Sequence, residues 1–194
     1  MPPQPISRFP VPDLDDVPDD LRSRMKEIQE KTGFIPNVFL AMAHRPDELR
    51  GFLQLHDALM EKDSGLTKAE REMIVVATSA ANECLYCVVA HGAILRIRAK
   101  NPLLADQVAV NYRKAGLDLR TEAMLAFALK VANDSAALSD DDFAHLAQHG
   151  FDEQDVWDIG AIAALFAYSN RMANLASIQP NPEFYAMARQ PRDG

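Results

Sequence analysis

Cys84 and Cys87 are the only two cysteines of a 194-residue chain, and they stand three positions apart in the segment ECLYCVVAHG. A disulfide stabilises a fold mainly by closing a long loop, and this pair closes almost none. Such a spacing belongs to a redox-active dithiol or to a metal site, not to a structural staple. On a helix, at about 100° per residue, Cys84, Cys87 and His91 fall within an arc of roughly 60°. A thiolate is the nucleophile both in peroxide reduction and in disulfide exchange, and His91 is a base within reach.

The position of the pair on its helix adds to this. With Asn82 as N-cap, Cys84 falls in the first turn, where free amides and the helix dipole favour a thiolate. Cys87 lies one turn deeper and His91 one turn beyond that. The i,i+4 spacing from His91 predicts Cys87 as the peroxide-reactive thiol and Cys84, nearer solvent, as the resolving one. The dipole argues the other way, since it favours the charge at Cys84.

Glu72 joins the group only if the chain turns back. On one straight helix it would lie about 18 Å from Cys84 along the axis. A tight reversal near Asn82 brings Glu72, ten residues before the bend, level with His91, nine residues after it. The carboxylate would then orient the imidazole in a Glu–His–Cys relay.

Helices are the elements that position these residues. Residues 1–17 carry five of the twelve prolines and read as an extended arm. From Pro18 the pattern is helical almost throughout. A first helix over 19–31 places Leu21, Met25 and Ile28 at helical spacing and stops near Gly33. Pro36 opens a short apolar segment, and Pro46 sits at a first helical position. Thr67 to Glu70 forms a capping box, starting a helix through REMIVVATSAA. Further helices are predicted at about 102–114, 120–134, 139–148 and 152–176, with a short EFYAMA segment after Pro182. Strand signals are scarce. The expected architecture is all-α, one helical domain over 18–194 of about eight to ten helices, with no solenoid repeat. TKAEREMIVVATSAAN and DEQDVWDIGAIAALFAYSN share a polar first turn and an apolar helix ending at Asn, as two buried helices of one kind would.

Glu72, eleven intervening residues, Cys84-Leu-Tyr-Cys87, three residues and His91 together resemble the E-x11-C-x2-C-x3-H signature of the AhpD-like alkylhydroperoxidases. These lie within the carboxymuconolactone decarboxylase superfamily, and the layout is similar to its peroxidase-related branch. The LTKAERE start and the FDEQDVWDIGAIAALFAYSNR stretch look like that superfamily too. The resemblance implies an all-α fold, homo-oligomers, and thiol-dependent hydroperoxide reduction without haem or metal. It also assigns Cys87 as the peroxide-reactive thiol and Cys84 as the resolving one.

Rival readings follow from the same residues. Zinc could take Cys84, Cys87 and His91, but no second C-x-x-C or H-x-x-x-H completes a structural tetrahedron, so no metal or cofactor is expected. A dithiol–disulfide carrier would use the same pair on partner proteins. A decarboxylase has no use for a vicinal dithiol, and a scaffold would merely share the fold. Among other residues, His56 reads as a core or pocket-lining residue, and His44, His145 and His149 as surface or helix-end residues. Tyr86 lines an entrance or packs, Trp157 and Phe166 are core or interface, and Asn170-Arg171 is a subunit contact or cap. The net charge of −8 argues against nucleic acid and anionic membranes as partners. No run reaches the ~18 apolar residues of a membrane span, and a cytoplasmic location is expected. The expected partners are a hydroperoxide, an unidentified thiol or dithiol reductant, and further copies of the chain, since GAIAALFAY is apolar all round.

Overall fold

The computed structural model describes residues 5–190. Among them ten α-helices follow one another, with three short 3₁₀ turns and no strand. They are α1 (Asp19–Thr32), α2 (Asn37–Met42), α3 (Pro46–Met60), α4 (Lys68–Ala81), α5 (Leu85–Ala99), α6 (Leu104–Asn111), α7 (Leu119–Asp134), α8 (Asp140–Gln148), α9 (Glu153–Ala176) and α10 (Pro182–Ala186).

The boundaries follow local chemistry. Gly33 ends α1 in the left-handed region, φ 90°, where a side chain would be strained. Pro46 opens α3 at its first position, where the missing N–H costs nothing. At α4 the Glu70 amide donates to Thr67 Oγ1 at 3.2 Å and the Thr67 amide to Glu70 Oε2 at 2.7 Å. Asp152 and Asp155 form the same reciprocal box at α9. Each box satisfies two orphan amides, and its N-cap oxygen alone is worth about 1 kcal/mol.

Two helices organise the rest. α4 packs on α5, α6, α7 and α9, and α9 packs on α3, α4, α5 and α7. Being covered on several sides, both can be apolar on most of their circumference. Ile74, Val75 and Val76 of α4 meet Leu95, Met124, Leu125, Ile159, Ile162 and Phe166 in the main core. Each such side chain contributes about 1.5–3 kcal/mol relative to an exposed one. A buried cluster of charge also joins these helices. Arg71 donates to Leu59 O, Ser64 Oγ and Asp158, and Lys62 Nζ meets Asp158 Oδ1 at 2.5 Å.

A second core holds the cysteines. Cys84, Tyr86, Cys87, Ala90 and Ala93 pack with Phe34, Ala173, Ile178 and Phe184. Tyr86 is fixed there, its hydroxyl accepting the Val38 amide at 3.2 Å, so it packs and does not line an entrance. The N-terminal arm closes this core from outside. Its Ile6 carbonyl accepts the Gln179 amide at 3.0 Å, and the Arg8 amide donates to Ala176 O at 2.7 Å. Residues 1–4 of the predicted arm lie outside the described residues. No helix among the described residues is long and apolar enough to cross a membrane.

Candidate active site

The chain does reverse between α4 and α5, and it does so over the three residues Asn82, Glu83 and Cys84. The Glu83 amide donates to Ala80 O and the Cys84 amide to Ser79 O, each at 3.0 Å. This pair of bonds is a Schellman motif, and Glu83 occupies its left-handed position at φ 52°. The next residue, Cys84, is already the N-cap of α5. One residue, Glu83, thus separates the cap of one helix from the cap of the next, which makes the hairpin tight.

This corrects the expected cap. Asn82 is the C-cap of α4, not the N-cap of α5. Its side-chain amide donates to Thr78 O at 2.9 Å and to Asn170 Oδ1 at 3.1 Å. The sequence offered no glycine to mark the left-handed position, so a helix end carried by Glu83 was invisible to it.

The reversal brings Glu72 and His91 together. His91 Nδ1 lies 2.8 Å from Glu72 Oε2, and both side chains are largely buried. The imidazole also stands edge-on to Phe166, with ring centroids 4.7 Å apart and an interplanar angle of 83°. A carboxylate on Nδ1 and an aromatic face beside the ring fix its orientation, leaving Nε2 as the nitrogen available for proton transfer. Lys68, a possible alternative partner for Glu72, pairs instead with Glu61 at 2.7 Å.

Both cysteines are free thiols and both are buried, which overturns the expectation that Cys84 lies nearer solvent. Their ionisation differs sharply. A hydrogen bond from the Cys87 thiol, aided by the Cys87 amide, Asn170 and the His91 charge, offsets burial and brings Cys84 down to about 7. Cys87 is pushed well above the ordinary thiol range, by its hydrogen bond to Cys84 and by burial. Of the two thiols, Cys84 is the one held toward the thiolate.

α9 supplies two neighbours that the motif did not include. Ser169 Oγ lies 3.8 Å from Cys87 Sγ. Asn170 donates to Ser79 Oγ at 2.9 Å and accepts from Asn82, so it is a buried link between the two helices and not a subunit contact. The shared Asn endings of the two apolar helices were the only sequence signal for this meeting. Of the other histidines, His44 Nδ1 lies 2.8 Å from Ala41 O and His149 Nδ1 lies 2.9 Å from His145 O. No group of three or more His, Cys, Asp or Glu side chains among the described residues is arranged to hold a metal ion.

Comparison with known proteins places the chain in a family. Residues 46–102, from α3 through α5, match the carboxymuconolactone decarboxylase family. An uncharacterised peroxidase-related protein with an alkylhydroperoxidase AhpD core, from Ralstonia eutropha JMP134, is 63% identical with a TM-score of 0.96. The similarity spans 98% of this chain and 100% of that one. The chain belongs to the AhpD-like, peroxidase-related branch of the carboxymuconolactone decarboxylase superfamily. A second peroxidase-related protein, from Silicibacter sp. TM1040, is 38% identical over 97% of this chain and 99% of that one, with a TM-score of 0.92. The debrominase Bmp8, 22% identical over 94% of this chain and 95% of that one, at a TM-score of 0.75, shows the same fold. No curated protein matches the chain. In this AhpD-like chain the whole signature, Glu72 to His91, falls inside the region matched by the family.

Proposed function

We propose that this protein is a thiol peroxidase that reduces hydroperoxides through a Cys84–Cys87 dithiol/disulfide cycle. The observation that carries the reading is the carboxylate-held imidazole, Glu72 to His91 at 2.8 Å, on the hairpin that also presents two free cysteines. Membership of the AhpD-like, peroxidase-related branch supports it.

The steps balance with these residues alone. His91 takes the Cys84 proton, and the thiolate attacks the outer peroxide oxygen. The O–O bond breaks, the alkoxide leaves with the proton from His91, and Cys84 becomes a sulfenic acid. Cys87 sulfur then attacks Cys84 sulfur, and the hydroxyl leaves as water with the Cys87 proton. Two electrons have passed from the dithiol to the peroxide, and a disulfide remains for an external thiol or dithiol to reduce. Ser169 Oγ, 3.8 Å from Cys87 Sγ, is placed to donate its hydroxyl hydrogen to that sulfur while the Cys87 thiol hydrogen is directed at Cys84.

Burial favours peroxide over a protein disulfide as the oxidant. Sulfurs with almost no exposed surface are closed to a cysteine on the surface of a folded partner, whereas a peroxide is small enough to be admitted by a local opening. The reductant must be correspondingly slender.

The test is turnover of hydrogen peroxide and of a small organic hydroperoxide with dithiothreitol as reductant. Wild type should turn over repeatedly, while Cys84→Ser and Cys87→Ser should each stop after at most one equivalent. Full turnover in either variant would overturn the cycle.

A further inference from the structure

His56 is a half-buried titratable group that the cycle above leaves idle, and its surroundings give it a task. It sits on α3, outside the α4–α5 hairpin, with its ring centroid 6.4 Å from that of His91. Both histidines pack on Phe166, His56 at 6.4 Å and His91 at 4.7 Å between centroids. His56 Nδ1 lies 3.5 Å from Asp57 Oδ1, and Asp57 is held by Arg24 of α1 at 2.8 Å. The charged or titratable groups facing His56 are thus Asp57 with Arg24 behind it, Glu72 from α4 and His91 from α5; Phe52 and Phe166 are apolar walls.

Exposure rises step by step along this line. Cys84 and Cys87 are 0% and 1% exposed, the Glu72 and His91 side chains 9% and 12%, His56 27% and Asp57 43%. The line runs from sulfur to solvent through groups that each carry a proton or accept one.

The cycle needs such a line. Peroxide reduction uses up both thiol protons, one in the alcohol and one in water. When a dithiol reductant reopens the disulfide, electrons pass directly from sulfur to sulfur. The reductant's two protons are released outside, and two must enter the buried site. A buried sulfur cannot draw them from bulk water unaided.

We propose that His56 is the outer station of a two-histidine proton path, exchanging protons with His91 on one side and with solvent beside Asp57 on the other. The inference rests on the peroxidase reading for its purpose but not for its geometry. The rings stand too far apart for a direct N–H···N bond and close enough for one bridging water. Burial and the charge of His91 hold His56 below the ordinary imidazole range, against the pull of Asp57 and Glu72. It is therefore neutral at pH 7 and free to accept a proton before passing it on. His56 touches neither sulfur, so it acts through His91.

The experiment compares wild type with His56→Ala, His56→Gln and Asp57→Asn. One readout is peroxide turnover; the other is relaxation of the Cys84 thiolate ultraviolet absorbance after a pH jump, which requires no peroxidase activity. His56→Ala should lower kcat by at least about tenfold, in the range of a lost proton-transfer group, with a smaller effect on KM. It should also slow the relaxation. Imidazole added to His56→Ala should restore both, and pyrazole, of the same shape but nearly without basicity, should restore neither. Asp57→Asn should give a smaller loss in the same direction. Equal rescue by imidazole and pyrazole would show a filled hole instead of a proton path and overturn the proposal. Unchanged relaxation and kcat in His56→Gln would do the same, and that variant carries the test if His56→Ala does not fold. A wild type inert to peroxide would refute the peroxidase reading alone, because the pH jump would still decide the role of His56.

Discussion

Cys84 and Cys87 are three residues apart and equally buried, yet they are chemically unlike. The first sits where an N-terminal turn gathers donors around its sulfur, and the second surrenders its thiol hydrogen to the first. A thiolate population should therefore grow as pH rises through about 7, seen as ultraviolet absorbance in wild type. Cys87→Ala, which loses the principal donor, should shift that midpoint upward. In the proposed cycle the same asymmetry sets the order of attack. With one equivalent of peroxide and a sulfenic-acid trap, Cys87→Ser should accumulate an adduct on Cys84, and Cys84→Ser should accumulate little. An adduct confined to Cys87 would restore the order expected from the histidine spacing. Glu72 acts one step further back. Glu72→Gln keeps the size of the side chain but removes the charge that steadies an imidazolium, and turnover should fall roughly 10- to 1000-fold. Identical pH–rate profiles for the variant and wild type would show that Glu72 does not work through His91.

At the scale of elements, the site depends on how α4 ends. Its closing bonds require a left-handed residue, and the sequence places Glu83 there at φ 52°, an exposed side chain in a conformation that suits glycine. An L-residue in that region costs roughly 1–2 kcal/mol, partly offset in glycine by its greater loss of backbone entropy. Glu83→Gly should accordingly raise stability by about 1 kcal/mol, and Glu83→Val should lower it, since branching at Cβ worsens the clash. Thermal unfolding of the two variants checks the sign of both changes. If Glu83→Gly were the less stable, the Glu83 side chain would have a role beyond geometry. Around this turn Asn82, Asn170 and Ser79 tie the hairpin to α9, so the cysteines are held by three helices instead of one.

At the scale of the molecule, one surface is too apolar to face water. Trp157 is 72% exposed, and it shares a face of α9 with Ala161, Ala164 and Tyr168. Two grooves of about 850 and 500 Å³ meet at Ala161 and Ala164, one walled by Phe127, Phe143 and Phe151 and the other by Phe52, Leu55 and Leu59. A contiguous apolar surface of this kind marks an interface. The protein should therefore be a homo-oligomer, with a light-scattering mass a multiple of 21.5 kDa at micromolar concentration. Trp157→Glu should weaken the assembly by placing an unpaired charge in the contact. A strict monomer for wild type would remove the interface.

Much of this protein was open to view in its residues. Helical periodicity, the Thr67 box, Pro46 and Gly33 placed the elements to within a few residues, because capping and periodicity are local properties that a linear sequence records. The signature from Glu72 to His91 likewise announced a dithiol with a base and a carboxylate, and counting from the bend paired the last two. Tertiary structure decided what lies across helices. It made Asn82 a C-cap, because the left-handed residue that ends α4 is a glutamate that carries no signal of its own. It buried both sulfurs beneath α9, α10 and the N-terminal arm, since exposure depends on what distant segments cover. It set Ser169 and Asn170 beside the pair, and His56 behind His91, through contacts between residues 35 to 91 positions apart. Which thiol is held toward the thiolate follows from those contacts, because a buried charge takes its energy from the donors folding brings within a few ångströms, whatever their distance along the chain.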